Sequence, residues 1–245
     1  MDNKLIVGMH QPNLMPWIGY FYKIFQSDVF IFVDDVQFTK SGSSYTNSVR
    51  FNERGKPIKL TVPIKRASGK TENINEILYA KNNWQRKIIR SLELNYAKCD
   101  YYKANKDFIF NLINSEVNSY SEYNINFIIE ISKKLDFKTE FRISSKINKY
   151  LVENATDRIV KLAKAVDATH FLSGRGGDNY QDHNLYVVNN IELIYSDFSD
   201  FEYKQYKSEN FIKGLSIIDA IFNIGFENLR EHFISMHQKW EKDGI

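Results

Sequence analysis

The chain has 245 residues, with 33 Lys and Arg against 30 Asp and Glu, for a formal net charge of +3. So balanced a charge disfavours a dedicated nucleic-acid binder, whose basic residues cluster on one face. A hydrophobic content of 43% excludes global disorder, and a single cysteine, Cys99, excludes an internal disulfide and a cysteine-based zinc site.

Residues 5–9 form an apolar run that predicts a buried strand. Pro12 and Pro16 stop 10–16 from being helical, because each disfavours an α conformation in the residue before it. Residues 17–25 carry Trp17, Phe21, Ile24 and Phe25 at helical spacing, with Pro16 suited to the first turn. The apolar run 29–33 predicts a second strand. Strand, loop, helix, strand is a βαβ unit, and it places residues 10–16 where open α/β sheets bind ligands, at a strand's carboxyl end.

Residues 47–51 and 58–64 predict a hairpin around a Gly55-containing loop. Residues 68–71 are polar and predict a loop. From 84 to about 136 the chain reads as helical, with Phe127, Ile128, Ile131 and Leu135 as its clearest apolar stripe. A helix over 159–166, a strand over 169–172, a helix starting near His183 and a strand over 191–195 follow. The tail 215–240 predicts a helix broken at Gly225. No apolar run approaches the roughly 18 residues of a membrane span, and no export signal is evident, so a cytoplasmic protein without an integral membrane segment is expected. The expected fold is α/β: one Rossmann-like domain with a mixed sheet and the helical segment inserted between its halves.

Three stretches have the composition of a site. In the first, His10 ends a strand and can act as acid, base or electrophile near neutral pH. Gln11 and Asn13 offer donors and acceptors, and Gly19 allows close approach. Trp17 and Phe21 have the spacing of core residues, with Trp17 also a candidate contact for substrate. In the second, Asp34 and Asp35 follow a strand, with Gln37 and Lys40 close by. An Asp in that place can take a proton or hold a hydroxyl, a cation or an amine, and in an extended segment only one of the two would face a given pocket. In the third, Ser173, Gly174, Arg175, Gly176, Gly177 and Tyr180 follow a strand, where backbone amides and Arg175 can wrap a phosphate. Its spacing matches neither a Walker A loop nor a dinucleotide fingerprint. The five histidines are scattered, no His-Glu-x-x-His occurs and no nucleophile elbow is present, which disfavours a metal centre and a serine hydrolase.

The order of these motifs resembles the WbqC-like family of bacterial proteins. The matching residues are His10-Gln11-Pro12-Asn13, Pro16-Trp17-Ile18-Gly19-Tyr20-Phe21, Asp34-Asp35-Val36-Gln37-Phe38, Leu60-Thr61-Val62-Pro63, Leu172-Ser173-Gly174 with Gly177 and Tyr180, and Leu215-Ser216-Ile217-Ile218-Asp219 with Asn223 and Gly225. Where the family shows a Trp and an Asn-Arg-Asn element, this chain has Tyr45-Thr46-Asn47-Ser48-Val49-Arg50, which makes Asn47 and Arg50 candidate contacts. The resemblance implies an enzyme of surface-polysaccharide, O-antigen-type biosynthesis that transfers a small acyl or aminoacyl group, such as glycyl, to a nucleotide-linked amino sugar. His10, Asp34 and Asp35 are then the catalytic candidates, and no cofactor is assigned. A non-catalytic sugar- or protein-binding subunit of that pathway is the alternative. The layout also resembles HIGH-type nucleotidyl transferases or ligases, with Tyr20 in place of their second histidine.

Overall fold

The computed structural model describes residues 4–38, 46–65, 72–80, 82–147, 154–174, 181–198 and 201–242. Strand β1 (Ile6–His10) leads through a loop to helix α1 (Ile18–Phe25) and strand β2 (Val29–Phe32). The hairpin β3 (Ser48–Glu53) and β4 (Lys56–Thr61) follows, then two-residue strands β5 (Ile64–Lys65) and β6 (Leu78–Tyr79), which pair with each other. Helices α2 (Trp84–Tyr96), α3 (Tyr102–Ile113) and α4 (Tyr120–Lys134) occupy the predicted helical stretch. The chain then returns through β7 (Glu140–Ile143), α5 (Ala155–Lys164), β8 (His170–Gly174), α6 (His183–Val188) and β9 (Glu192–Ser196) to the long α7 (Ile217–Lys242). Among the described residues no helix is long and apolar enough to cross a membrane.

The central sheet has five parallel strands in the order β7-β2-β1-β8-β9. This is a Rossmann-like α/β arrangement, and its antiparallel pairs stand apart from the central sheet. From β1 the chain winds outward through β2 to β7, then restarts on the other side at β8 and β9. The order therefore reverses between β1 and β8, which is the topological switch point of such a sheet. The sequence does not predict β7, because a four-residue strand with only Phe141 and Ile143 apolar gives little periodic signal.

Strand alternation sorts side chains to two faces. Val7, Met9, Ile31 and Phe171 pack with Val160, Leu162 and Tyr186 on one side. Phe30 and Phe32 join the larger cluster of α1, α4 and α7 on the other. A side chain at Gly8 would meet Ser27 Oγ at 2.3 Å, so this glycine lets the end of α1 lie against the strand. Gly225 breaks α7 as expected: its φ of +79° is strained for any other residue, and a Cβ there would strike the Tyr101 ring at 2.5 Å.

A buried carboxylate ties the insert to the rest of the chain. Asp219 of α7 accepts hydrogen bonds from the hydroxyls of Tyr96 (2.8 Å) and Tyr203 (2.6 Å) and from Gln205 Nε2 (3.1 Å). The Tyr96 hydroxyl in turn accepts the Asn52 N–H of β3 at 2.8 Å. Burial raises the Asp219 pKa to about 6 against the opposing pull of those donors.

Candidate functional site

The five central strands end nearly level, with Phe32 opposite both His10 and Ile143, and Gly174 opposite Ser196. The β1–β8 ladder alone stops early. Its last pair is Gly8 with Leu172, although both strands run on to His10 and Gly174. A crevice therefore opens at the switch point, where Met9 and His10 face Ser173 and Gly174 without pairing. A side chain built on Gly174 would meet nothing within 4 Å, so open space lies beyond it.

Lys23 fills the mouth of this gap. It reaches from α1 to donate to the Met9 carbonyl at 2.9 Å, with its ammonium 5.7 Å from the centre of the Phe171 ring. Among the described residues it pairs with no carboxylate. Burial lowers its pKa to about 8. Lys23 is absent from the sequence-derived candidates. The available signal is that it is the one charged residue in the otherwise apolar and aromatic α1.

His10 is set by its neighbours. Its Nδ1 lies 3.0 Å from the Gln11 carbonyl, and a carbonyl only accepts, so the proton of the neutral ring sits on Nδ1 and Nε2 keeps its lone pair. The Tyr20 hydroxyl donates to the same carbonyl at 2.9 Å, and the Tyr20 ring meets His10 edge-on at 4.8 Å. The His10 side chain is exposed, yet enough protein surrounds it for desolvation to lead, with the Lys23 charge second, in lowering its pKa to about 4. The lowered pKa keeps the imidazole neutral at pH 7.

The helical insert holds the loop that follows. The fully buried Asn124 of α4 donates to the Pro12 carbonyl at 3.0 Å and accepts from the Tyr79 hydroxyl at 2.8 Å. The Thr46 carbonyl accepts from the Leu14 N–H at 3.0 Å and also from the Tyr120 hydroxyl. Met15 turns the loop with a φ of +42°, a strained value for a side-chain-bearing residue before proline. Trp17 is 41% exposed rather than a core residue, whereas Phe21 is fully buried as expected. The Trp17 ring folds back over Gly19, whose missing Cβ makes the room, and meets Phe198 edge-on at 5.1 Å.

Asp34 and Asp35 share partners that the sequence did not identify. Asp34, 4% exposed, accepts from the Ser145 N–H at 3.0 Å and the Ser145 hydroxyl at 2.8 Å. The Ser144 hydroxyl accepts the Asp34 N–H at 3.1 Å and donates to Asp35 Oδ1 at 2.6 Å. Arg158 of α5 pairs with the other Asp35 oxygen at 2.8 Å. Both carboxylates thus point toward the turn after β7 and do not diverge, because that turn brings a hydroxyl to each. Gln37 is exposed and bridges to Asn73 through its backbone. Asn47 donates to the Val62 carbonyl at 2.9 Å and fastens the hairpin. Ser173 is buried and accepts from Gln181 Nε2 at 2.7 Å. Asn13, Trp17 and Arg50 line one small cavity with Gly214. Lys40, Arg175, Gly176, Gly177 and Tyr180 lie outside the described residues. A separate cavity of about 830 Å³ opens at the sheet's amino edge, between Ile6, Asp28, Glu140 and Trp240, away from every candidate above. Among the described residues no group of three or more His, Cys, Asp or Glu is placed to hold a metal ion.

The family model for the WbqC-like protein family matches residues 11–231. Uncharacterized protein Rv1507c of Mycobacterium tuberculosis (strain ATCC 25618 / H37Rv) is 27% identical over 223 residues, covering 90% of this chain and 94% of that protein. No solved structure matches.

Proposed function

The chain belongs to the WbqC-like protein family, and on that premise we propose that it is a cytoplasmic transferase of surface-polysaccharide biosynthesis. It moves a small acyl or aminoacyl group onto the amine of a sugar, carried as a nucleotide-linked substrate, and needs no nucleic acid. The observation that carries this reading is the oriented, neutral His10 at the splayed β1–β8 crevice, with Nε2 free to accept a proton.

The chemistry follows from that atom. The amine nitrogen bonds to the carbonyl carbon of the donor, and the bond from that carbon to the leaving group breaks. The proton shed by the amine passes to His10 Nε2 and from there to the leaving group. A pKa near 4 makes an unliganded His10 a weak base. An anionic group seated beside Lys23 offsets the charge that depresses His10 and raises its basicity as substrate binds. The crevice thereby couples binding to proton transfer.

The test has two parts. A thermal-shift screen across nucleotides, nucleotide sugars and simple acyl donors should raise the melting midpoint for members of the substrate class, by mass action. With that class in hand, His10→Gln should cut turnover by roughly 10²–10⁴-fold with a midpoint within a few degrees of the wild type. A folded His10→Gln protein with full turnover ends the acid–base assignment.

A second reading is a non-catalytic sugar-binding subunit. It is favoured by the engagement of Asp34 and Asp35 with Ser144, Ser145 and Arg158, so that among the described residues no carboxylate pairs with His10. Ligand binding with unaltered ligand after prolonged incubation supports that reading over the transferase.

A further inference from the structure

A cavity of about 200 Å³ lies under the proline-stiffened loop, and His10 is not part of its wall. Met15, Trp17, Ser48, Arg50, Gly214 and Ser216 line it. Ser48 and Arg50 stand two apart on β3 and so project from the same face of the strand. The cavity's walls are fastened by backbone hydrogen bonds of 2.9 Å from Ser216 N–H to the Arg50 carbonyl and from Ile217 N–H to the Pro16 carbonyl.

Two of its polar groups lack partners among the described residues. Ser48 is 2% exposed and its hydroxyl oxygen has no hydrogen-bond partner among the described residues. Buried hydroxyls are ordinarily satisfied, and an unmet one costs stability. Among the described residues Arg50 pairs with no carboxylate. Gly214 stands beside its guanidinium, where a Cβ would come within 3.5 Å of Nη1. The rest of the lining is apolar apart from Asn13 and Ser216, and the Ser216 hydroxyl is already engaged by the Ile218 N–H at 3.4 Å.

We infer that this cavity is a binding site for a small monocarboxylate with an apolar body. Arg50 pairs with the carboxylate, the Ser48 hydroxyl donates to it, and Met15 and Trp17 cover the apolar part. One guanidinium and one hydroxyl match a single negative charge, whereas a phosphate dianion would keep half its charge unmatched. The volume is below the roughly 300–1,000 Å³ of sites for drug-sized ligands, which excludes an intact nucleotide sugar. The site goes beyond the transfer proposed at His10 and stands whether or not His10 takes a proton.

Benzoate is the probe, with benzamide as its uncharged counterpart and inorganic phosphate as the alternative anion. Calorimetric titration of the full chain should show saturable benzoate binding and at least tenfold weaker benzamide binding. Tryptophan emission should respond as well, because Trp17 is exposed while Trp84 and Trp240 are buried, and Trp17→Phe should remove the response. Arg50→Gln should weaken benzoate at least tenfold. Ser48→Ala should weaken it several-fold while the melting midpoint of the unliganded protein stays level or rises, since an unmet hydroxyl is removed. A structural serine would lower that midpoint. Equal affinity for benzoate and benzamide, tighter binding of phosphate than of benzoate, or undiminished benzoate binding by Arg50→Gln each overturns the assignment.

Discussion

His10 and Lys23 oppose each other electrostatically, and neither position is explained by packing alone. A lysine that only filled space could be a leucine; this one carries its charge to the Met9 carbonyl at the edge of a crevice. Desolvation is the larger cause of the lowered His10 pKa and the Lys23 charge the smaller. Lys23→Met should therefore raise the His10 pKa above about 4 but leave it short of the ordinary 6.5. Titration of the His10 ring protons by NMR measures this directly. An unchanged value in Lys23→Met would mean that the ammonium does not act on the ring, and the coupling of anion binding to His10 basicity would go with it. Titration in the presence of a bound anion should move His10 in the same direction as the substitution does.

At the scale of elements, the carboxyl edge of the sheet is held by side chains that read as chemistry in the sequence. Asp34 joins the end of β2 to the turn after β7 through two hydrogen bonds from Ser145. Hydrogen bonds to a charged group contribute roughly 1.5–3 kcal/mol each, so Asp34→Ala should lower stability by about 3 kcal/mol or more. Denaturant unfolding checks this. A loss within about 0.5 kcal/mol, typical of surface substitutions, would return Asp34 to the pool of groups free for substrate. Adjacent carboxylates look alike in sequence whether their partners are a ligand or a serine 110 residues away, which is why this junction was not legible. The strands β1, β2, β8 and β9 were legible because each is an apolar run bounded by polar or turn residues. So was the break at Gly225. The edge strand β7 and the two-residue strands β5 and β6 were not, since pairing partners rather than their own composition make them strands. His10 could be found as the residue that ends a strand before a proline-rich loop. The meaning of Lys23 could not, because it depends on a ladder that stops two residues before its strands do.

Across the whole molecule, two sites that do not touch impose opposite pH dependences on folding. Asp219 keeps its proton up to about pH 6 in the folded chain, above its ordinary 3.8. Between those values the folded state holds more protons than the unfolded, so this contribution to stability is full at low pH and lost as pH rises through about 6. His10 behaves the other way. Its folded pKa of about 4 lies below the ordinary 6.5, so the unfolded chain takes up the proton first and stability is lost as pH falls from 6.5 toward 4. Burial also lowers the pKa values of His232 and His237, which adds to the His10 side. In the wild type the slopes offset one another over nearly the same window. Substitution separates them. Relative to the wild type, His10→Gln should gain stability on going from pH 7 to pH 4.5, because the penalty for charging the ring is gone. Asp219→Asn should lose relative stability over the same interval, since it forgoes the benefit of protonation, whatever fixed cost the amide incurs against Tyr96, Tyr203 and Gln205. Tyr96→Phe removes one donor that lowers the Asp219 pKa and should push the high-pH end of the Asp219 slope further up. Unfolding free energies for the three variants at pH 4.5, 6 and 7 decide the matter, and curves parallel to the wild type would show that neither group carries its proton differently in the folded and unfolded chains.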